Sequence, residues 1–237
     1  KYLVISTGGK AAPEFGCSGD GYQFAKSFGH TPTKTLPILT GLTSPEIHQL
    51  KGVRAKGVVT LYLKGKKLCT QAGEIQFTED GLSGICIFNL SRFVKLAKGV
   101  GFSDYCLSID FAPTYPLEQL IEILNARKTN HLDLLHSFVH RKLCKELETR
   151  GTTPEELANV LKDFQVTLSG AYGWKKAQCT AGGIALTEIH QDTMESKLVK
   201  GLYFTGEVID YDGPCGGYNL QNAWETAITA GRALANV

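Results

Sequence analysis

No apolar run in this chain approaches the length of a bilayer span, and no secretory signal is visible at its start, so the expectation is a soluble, cytoplasmic protein with no membrane partner. Charge of one sign is also in short supply. Lys plus Arg number 25 against 23 Asp plus Glu, which gives no electrostatic case for nucleic acid as the main partner. The seven cysteines at 17, 69, 86, 106, 144, 179 and 215 form no C-x-x-C pair and no regular spacing, which argues against a disulfide scaffold or zinc site and for reduced thiols. The six histidines are dispersed. His136 and His140 lie four apart on an expected helix but lack a metalloprotease glutamate beside the first, so they read as partly exposed helix residues and no metal is expected.

What is present centres on residues 201–235. Leu202, Tyr203 and Phe204 read as a short buried strand that stops at Gly206 and Glu207. A polar, glycine-rich turn runs from Asp210 to Gly217, after which Leu220, Ala223, Trp224, Ala227, Ala230 and Leu234 recur at helical spacing. Strand, tight loop and helix bring uncapped N–H groups and partial positive charge to the end of a strand, a place for an anion or a polar ring edge. Gly213, Gly216 and Gly217 let a flat ligand approach the backbone. The small residues Ala223, Ala227, Ala230 and Gly231 give the helix a side that can lie close to a sheet.

From the start, Tyr2–Ser6 is a strand candidate ending in Thr7, Gly8 and Gly9. Gly16, Ser18, Gly19, Asp20 and Gly21 lead into a helix with Tyr22, Ala25 and Phe28 at helical spacing and Gly29 as its stop. After Pro32 and Pro37 the chain becomes β-rich. Val59, Leu61 and Leu63 alternate with polar or smaller neighbours, Lys64 to Lys66 supply a turn, Ile75 and Phe77 continue the pattern, and Tyr105, Leu107, Ile109 and Phe111 give the cleanest alternation. Ile85–Ala97 reads as helical. These strands predict a small barrel or curled sheet. A three-helix cluster is expected from Leu117, Leu120, Ile121 and Leu124, then Leu132, Leu135, Val139, Leu143 and Leu147, then a helix capped by Thr153, Pro154 and Glu156. Val166–Leu168 is a strand, and 187–198 a connecting loop or hairpin.

The run Gly206 to Gln221 carries every fixed position of G-E-V-x-D-x-x-G-x-x-G-G-Y-N-L-Q. With G-x-x-G-D-G-Y at 16–22, F-T-x-x-G-L-S-G at 77–84, A-x-x-T-A-G-G at 177–183 and T-M-E-S-K at 193–197, the chain resembles the BaiN-like (YhiN) family of bacterial FAD-dependent oxidoreductases, the aminoacetone oxidase-like flavoproteins. That resemblance implies an α/β, Rossmann-like flavin-binding domain made of 1–35 and 170–237. An inserted domain, 36–169, interrupts it, β-rich and barrel-like over 36–112 and helical over 113–169. It implies FAD as cofactor, NAD(P)H as a candidate reductant and a small organic substrate. The cofactor-binding residues implied are Thr7, Gly8, Gly9, Ala181, Gly182, Gly183, Gly206, Glu207, Gly216, Gly217, Tyr218, Asn219 and Leu220. Among them, Glu207 would accept hydroxyl hydrogen bonds and the N–H groups of 217–219 would face the flavin edge. No protein acid, base or nucleophile is nominated.

One departure stands out. The G-x-G-x-x-G loop that holds a dinucleotide diphosphate is absent, and Gly16–Gly21 has the wrong spacing. The flavin domain is therefore expected to be incomplete, the chain truncated at its N-terminus, and FAD held weakly by these residues alone. The competing reading is a binding module that recognises a partner protein or single-stranded nucleic acid through the insert, where Lys51, Arg54, Lys56, Lys64, Lys66 and Lys67 cluster. A basic run of this kind is more often a solvated edge.

Overall fold

The alternation of the strands and the cap at Thr153 are realised in the computed structural model, which describes residues 1–126 and 135–236. In chain order the elements are β1 (Leu3–Ile5), α1 (Asp20–Ser27), β2 (Leu36–Ile38), β3 (Leu42–Thr43), β4 (Arg54–Leu63), β5 (Lys66–Phe77), β6 (Gly81–Ser83), α2 (Ile85–Ser91) and β7 (Tyr105–Asp110). After them come α3 (Leu117–Asn125), α4 (Arg141–Arg150), α5 (Pro154–Lys162), β8 (Phe164–Thr167), β9 (Gly170–Ala171), β10 (Cys179–Ala181), β11 (Leu202–Phe204) and α6 (Tyr218–Ala235). They divide into two units, Lys1–Thr40 with Tyr172–Val237, and Gly41–Ala171.

The second unit is a seven-stranded sheet in the order β8-β7-β4-β5-β6-β3-β9. Val59 and Leu61 of β4, Ile75 and Phe77 of β5, and Tyr105, Leu107 and Ile109 of β7 turn the same alternation inward and are buried. Each such side chain contributes about 1.5–3 kcal/mol by leaving water. The expected barrel is corrected in one respect: the two ends of the sheet come together, but among the described residues no strand pairing closes it. Its two edge strands belong to one bent segment, in which Leu168 N–H donates to Tyr105 O (3.1 Å) and the next residue, Ser169, donates to Thr43 O (2.8 Å). A segment that turns this corner cannot also pair with itself.

Two helical expectations change. α2 ends at Ser91 instead of continuing to Ala97. It buries Cys86, Ile87 and Leu90, whereas Phe93 and Leu96 beyond it are exposed, so no burial sustains another turn. The helix expected over 132–147 is interrupted: Leu135 is helical, 136–138 form a turn, and a separate helix runs from Arg141. Leu132 lies outside the described residues, His136 sits on a turn, and His140 caps α4, its Nδ1 accepting from Lys142 N–H (3.2 Å). The capping box of α5 forms as its sequence specifies: Thr153 Oγ1 accepts from Glu156 N–H (3.2 Å), and the Glu156 carboxylate accepts from Thr153 N–H (3.0 Å).

In the first unit β1 runs parallel to β11, and β2 runs antiparallel to β10. Ile5, Tyr22, Ala25, Ile184, Leu202, Phe204, Val208 and Ile209 form its core. Gly29 stops α1 with φ +87°, and the next residue, His30, is buried. Its Nδ1 lies 2.7 Å from Glu188 Oε2 and its Nε2 lies 2.8 Å from Ser196 Oγ. The order Glu188–His30–Ser196 is that of a hydrolytic triad, but Ser196 is buried and its oxygen already accepts the N–H groups of Leu198 and Val199. This triplet is a clamp that ties the end of α1 to 188–199.

The face of α6 is also corrected. The helix buries Thr226 and Ala230, while Ala227 and Gly231 are exposed together with Leu220, Trp224 and Ile228. Thr226 decides this rotation: its Oγ1 accepts from Gly206 N–H (2.9 Å) and donates to Asn222 O (2.7 Å), fixing which side meets the 206–208 turn.

Candidate functional site

The loop between β11 and α6 is shaped by one side chain. Asn219 Oδ1 accepts from Gly213 N–H (2.8 Å) and its Nδ2 donates to Gly213 O (3.1 Å), so the amide closes the loop as a backbone pair would. Gly213 must lack a Cβ, because one would stand 2.6 Å from the Cβ of Tyr218. Gly217, the residue before α6, has φ +97° and supplies no side-chain cap. The first intrahelical bond from this end is Gln221 N–H to Gly217 O (2.9 Å), which leaves the N–H groups of Tyr218, Asn219 and Leu220 without helical acceptors.

Asn219 and Leu220 of this first turn border a cavity of about 320 Å³. Its walls bring together Glu207, Gly216, Gly217, Asn219 and Leu220 from the sequence-derived set, and add Leu39, Gln178, Cys179, Cys215 and Ala223. A second hollow of about 400 Å³ lies against the same glycine pair and Leu220, with Tyr218, Gln221 and Trp224. Leu39 escaped the sequence reading because nothing local marks a buried leucine at φ +50° as a wall. Gln178 and Cys179 fall on the variable positions of A-x-x-T-A-G-G, and the available signal was their place just before that run's threonine. Cys215 Sγ donates to Gln178 Oε1 (3.6 Å) across the cavity wall.

Glu207 supplies the carboxyl of the cavity. Its Oε1 accepts from Thr180 N–H (2.8 Å), and Oε2 takes no protein donor among the described residues. Burial pushes its carboxyl above the usual range, with the Thr180 hydrogen bonds acting in the opposite direction. Thr180 in turn accepts from Lys10 N–H (2.8 Å) and Ala11 N–H (3.2 Å) through Oγ1. Gly9 lies against this pair, where a Cβ would overlap both Glu207 Oε1 and Thr180 Oγ1. Nearby, the buried Tyr22 hydroxyl has no partner among the described residues, and burial, then Glu207 and Asp210, raise its pKa.

The remaining sequence-derived residues are placed elsewhere. Thr7 packs by its Oγ1 where Gly21 has no side chain, and Gly8 has φ +73° with open space where a Cβ would be. Ala181 pairs with Leu36, a Cβ on Gly182 would meet Lys34 O, and Gly183 is crowded by Val208 O and Ile209 while exchanging hydrogen bonds with Thr33. The A-G-G run is thus needed by its own neighbours and does not line the cavity. Gly206 is set back from it at φ +74°, bonded to Thr226.

The cavity fits a flat ring system. Its volume is at the small end of ligand sites, about 300–1,000 Å³, and is too small for a whole dinucleotide. Its rim combines the glycine backbone of 216–217, the uncapped first turn of α6 at Asn219 and Leu220 and a half-buried carboxyl, which suits a ring with a polar edge. A Rossmann-like α/β unit carrying such a rim at a helix start has the architecture of flavin-binding proteins.

The chain belongs to the HI0933-like protein Rossmann domain family, whose sequence model matches residues 1–233, the family of BaiN/YhiN-type FAD oxidoreductases. It is similar to a 3-dehydro-bile acid delta(4,6)-reductase of Clostridium scindens, 34% identical over 258 residues, covering 98% of this chain and 62% of the relative. It is also similar to ribosomal RNA dihydrouridine synthases of Escherichia coli, at 32% identity over 95% of this chain and 58% of the relative, and Haemophilus influenzae, at 31% over 99% and 60%. The chain therefore spans about three fifths of the length of these curated relatives. No helix among the described residues is long and apolar enough to cross a membrane.

Proposed function

We propose that these residues form most of the flavin-ring site of an FAD-dependent reductase that saturates a carbon–carbon double bond conjugated with a carbonyl. The observation that carries this reading is the cavity at the start of α6, where Glu207, Gly216, Gly217 and the uncapped first turn at Asn219 and Leu220 line a ring-sized space. Two kinds of relative support the substrate class by name: a delta(4,6)-reductase of a 3-dehydro steroid, and synthases of dihydrouridine, which is uridine with its ring double bond saturated. Bound FAD would supply the hydride.

The chain's own residues bind, orient and exclude water. The uncapped N–H groups of the first turn of α6, at Asn219 and Leu220, would hold the polar edge of the flavin ring and favour negative charge there. Glu207, whose carboxyl burial holds above the usual range, accepts from Thr180 N–H through Oε1 and keeps Oε2 free of protein donors among the described residues. Leu39, Cys179 and Ala223 supply an apolar wall. The unit of 1–40 and 172–237 is the flavin domain in this reading, and 41–171 its insert. With no G-x-G-x-x-G in the sequence and a ring-sized cavity, this stretch by itself holds FAD weakly. We place the protein in the cytoplasm, where seven cysteines with no disulfide among the described residues stay reduced.

The test is spectroscopic. The full-length protein should purify yellow, bleach under anaerobic NADH, NADPH or dithionite, and recover its flavin band on adding a conjugated enone. A colourless protein indifferent to FAD would sink the flavin reading, and a reduced flavin reoxidised by oxygen but by no enone would sink the substrate class.

A further inference from the structure

The formal charge of the chain is nearly balanced, but its distribution in the second unit is not. β4 and β5 are joined by a two-residue turn, Lys64 and Gly65, at φ +48° and +78°, and Lys64, Lys66 and Lys67 at this tip are all exposed. The segment after α2, residues 92–101, crosses to the same tip. Lys64 Nζ donates to Gly99 O (2.9 Å). Tyr105, which pairs with Leu63 at the foot of the hairpin, donates its hydroxyl to Lys95 O (2.9 Å) and accepts from Lys95 N–H (3.0 Å). Folding therefore gathers Arg92, Lys95 and Lys98 beside the hairpin lysines. The acid near them is Asp104, 3.9 Å from Lys64 Nζ, and no carboxylate pairs with Lys66, Lys67, Lys95 or Lys98 among the described residues. Phe93, with the Arg92 guanidinium 5.9 Å from its ring centroid, and Leu96 flank Lys95 and are 43% and 46% exposed. At the other end of the hairpin the charge is compensated, Lys51 by Glu79 (2.6 Å) and Arg54 by Glu74 (3.2 Å).

We infer that this tip-and-loop surface binds a single-stranded nucleic-acid segment, its lysines following the phosphates and Phe93 stacking on a base. Lysines without a carboxylate partner, set beside an exposed aromatic, are the combination that such strands require. A lipid surface would instead call for a long amphipathic helix with an apolar face, and the tip and its crossing loop have none. The surface lies wholly within the second unit and needs no flavin, so it stands or falls apart from the proposed reduction.

Fluorescence anisotropy tests it, using the full-length protein and a fluorescein-labelled uridine oligomer of about 12 nucleotides across a KCl series. Binding should weaken linearly in log salt, with a slope of about −0.7 per phosphate contacted. The triple variant K66E/K67E/K98E should bind at least about tenfold more weakly with a flatter slope. F93A should lose about five- to tenfold with the slope unchanged. K51E/R54E, at the compensated end, should alter neither. Absence of binding at low salt, an equal loss from K51E/R54E, or binding to phosphatidylserine vesicles but not to the oligomer would each overturn the assignment.

Discussion

The two units solve the burial problem differently. In 41–171 one apolar cluster runs continuously from Leu42 to Leu168, joining the sheet to α2, α3, α4 and α5. In 1–40 with 172–237 the core is a small cluster around Ile5, Phe204 and Ile209, and twelve of the seventeen exposed large apolar side chains among the described residues lie here. Parallel strands are normally covered on both faces, yet Leu3 and Val4 of β1 are 46% and 40% exposed. The unit that holds the candidate site thus has the smaller apolar core and most of the exposed apolar side chains, while 41–171 gathers its own into one cluster.

The comparison breaks most visibly at Phe164. This ring is fully buried, in contact with Phe111 (5.6 Å between centroids) and beneath the Arg150 guanidinium (3.9 Å). Phe164→Ala should cost about 3–5 kcal/mol in a denaturant melt. A loss below about 1 kcal/mol would show that the second unit's core is not continuous.

Next in size is Thr180→Val, which removes the acceptor of Lys10 and Ala11 N–H at the rim of the other unit. The expected loss is about 1–3 kcal/mol, with FAD affinity of the full-length protein falling alongside. Unchanged stability would mean that water replaces the hydroxyl and that 7–11 is not pinned to β10.

Glu207→Gln gives a smaller, pH-dependent effect. Because burial raises the carboxyl's pKa in the folded state, its stabilising contribution is complete below the ordinary carboxylate range and is lost as pH rises through the folded value. Glutamine keeps an acceptor for Thr180 N–H without ionising. The variant should gain on the parent chain as pH goes from acid to neutral in thermal melts; a parent chain that is the more stable at neutral pH contradicts the burial assigned to Glu207.

The smallest change is expected at Trp224, 63% exposed on α6. Trp224→Ala should move the stability of this chain by no more than about 0.5 kcal/mol. The contrast with Phe164 is the sharpest statement of the difference between the units, and a large loss would mean that the stripe Leu220–Trp224–Ile228 is covered in solution.

Much of this was legible because it is local. Thr153, Pro154 and Glu156 specify a capped helix start from neighbours alone, Tyr105 to Phe111 declare a half-buried strand by alternation, and Gly29 ends α1 with the backbone only glycine favours. The loop motif at 206–221 pointed to the cavity rim for the same reason. The mistakes lie where local signals were outvoted: Phe93 and Leu96 look helical but find nothing to bury against, and the alanines of α6 look like a packing face until Thr226 fixes its rotation.

By itself, then, the sequence determined the family, the alternation of the strands, the helix caps and the glycine rim, since each is written in residues a few positions apart. Only the tertiary structure decided that Thr180 would meet Lys10 across 170 positions and Glu207 across 27, that Leu39 would wall the cavity, and that lysines from two separate segments would share one tip. Burial, desolvation and charge density depend on what arrives from elsewhere in the chain, and no spacing rule carries that information.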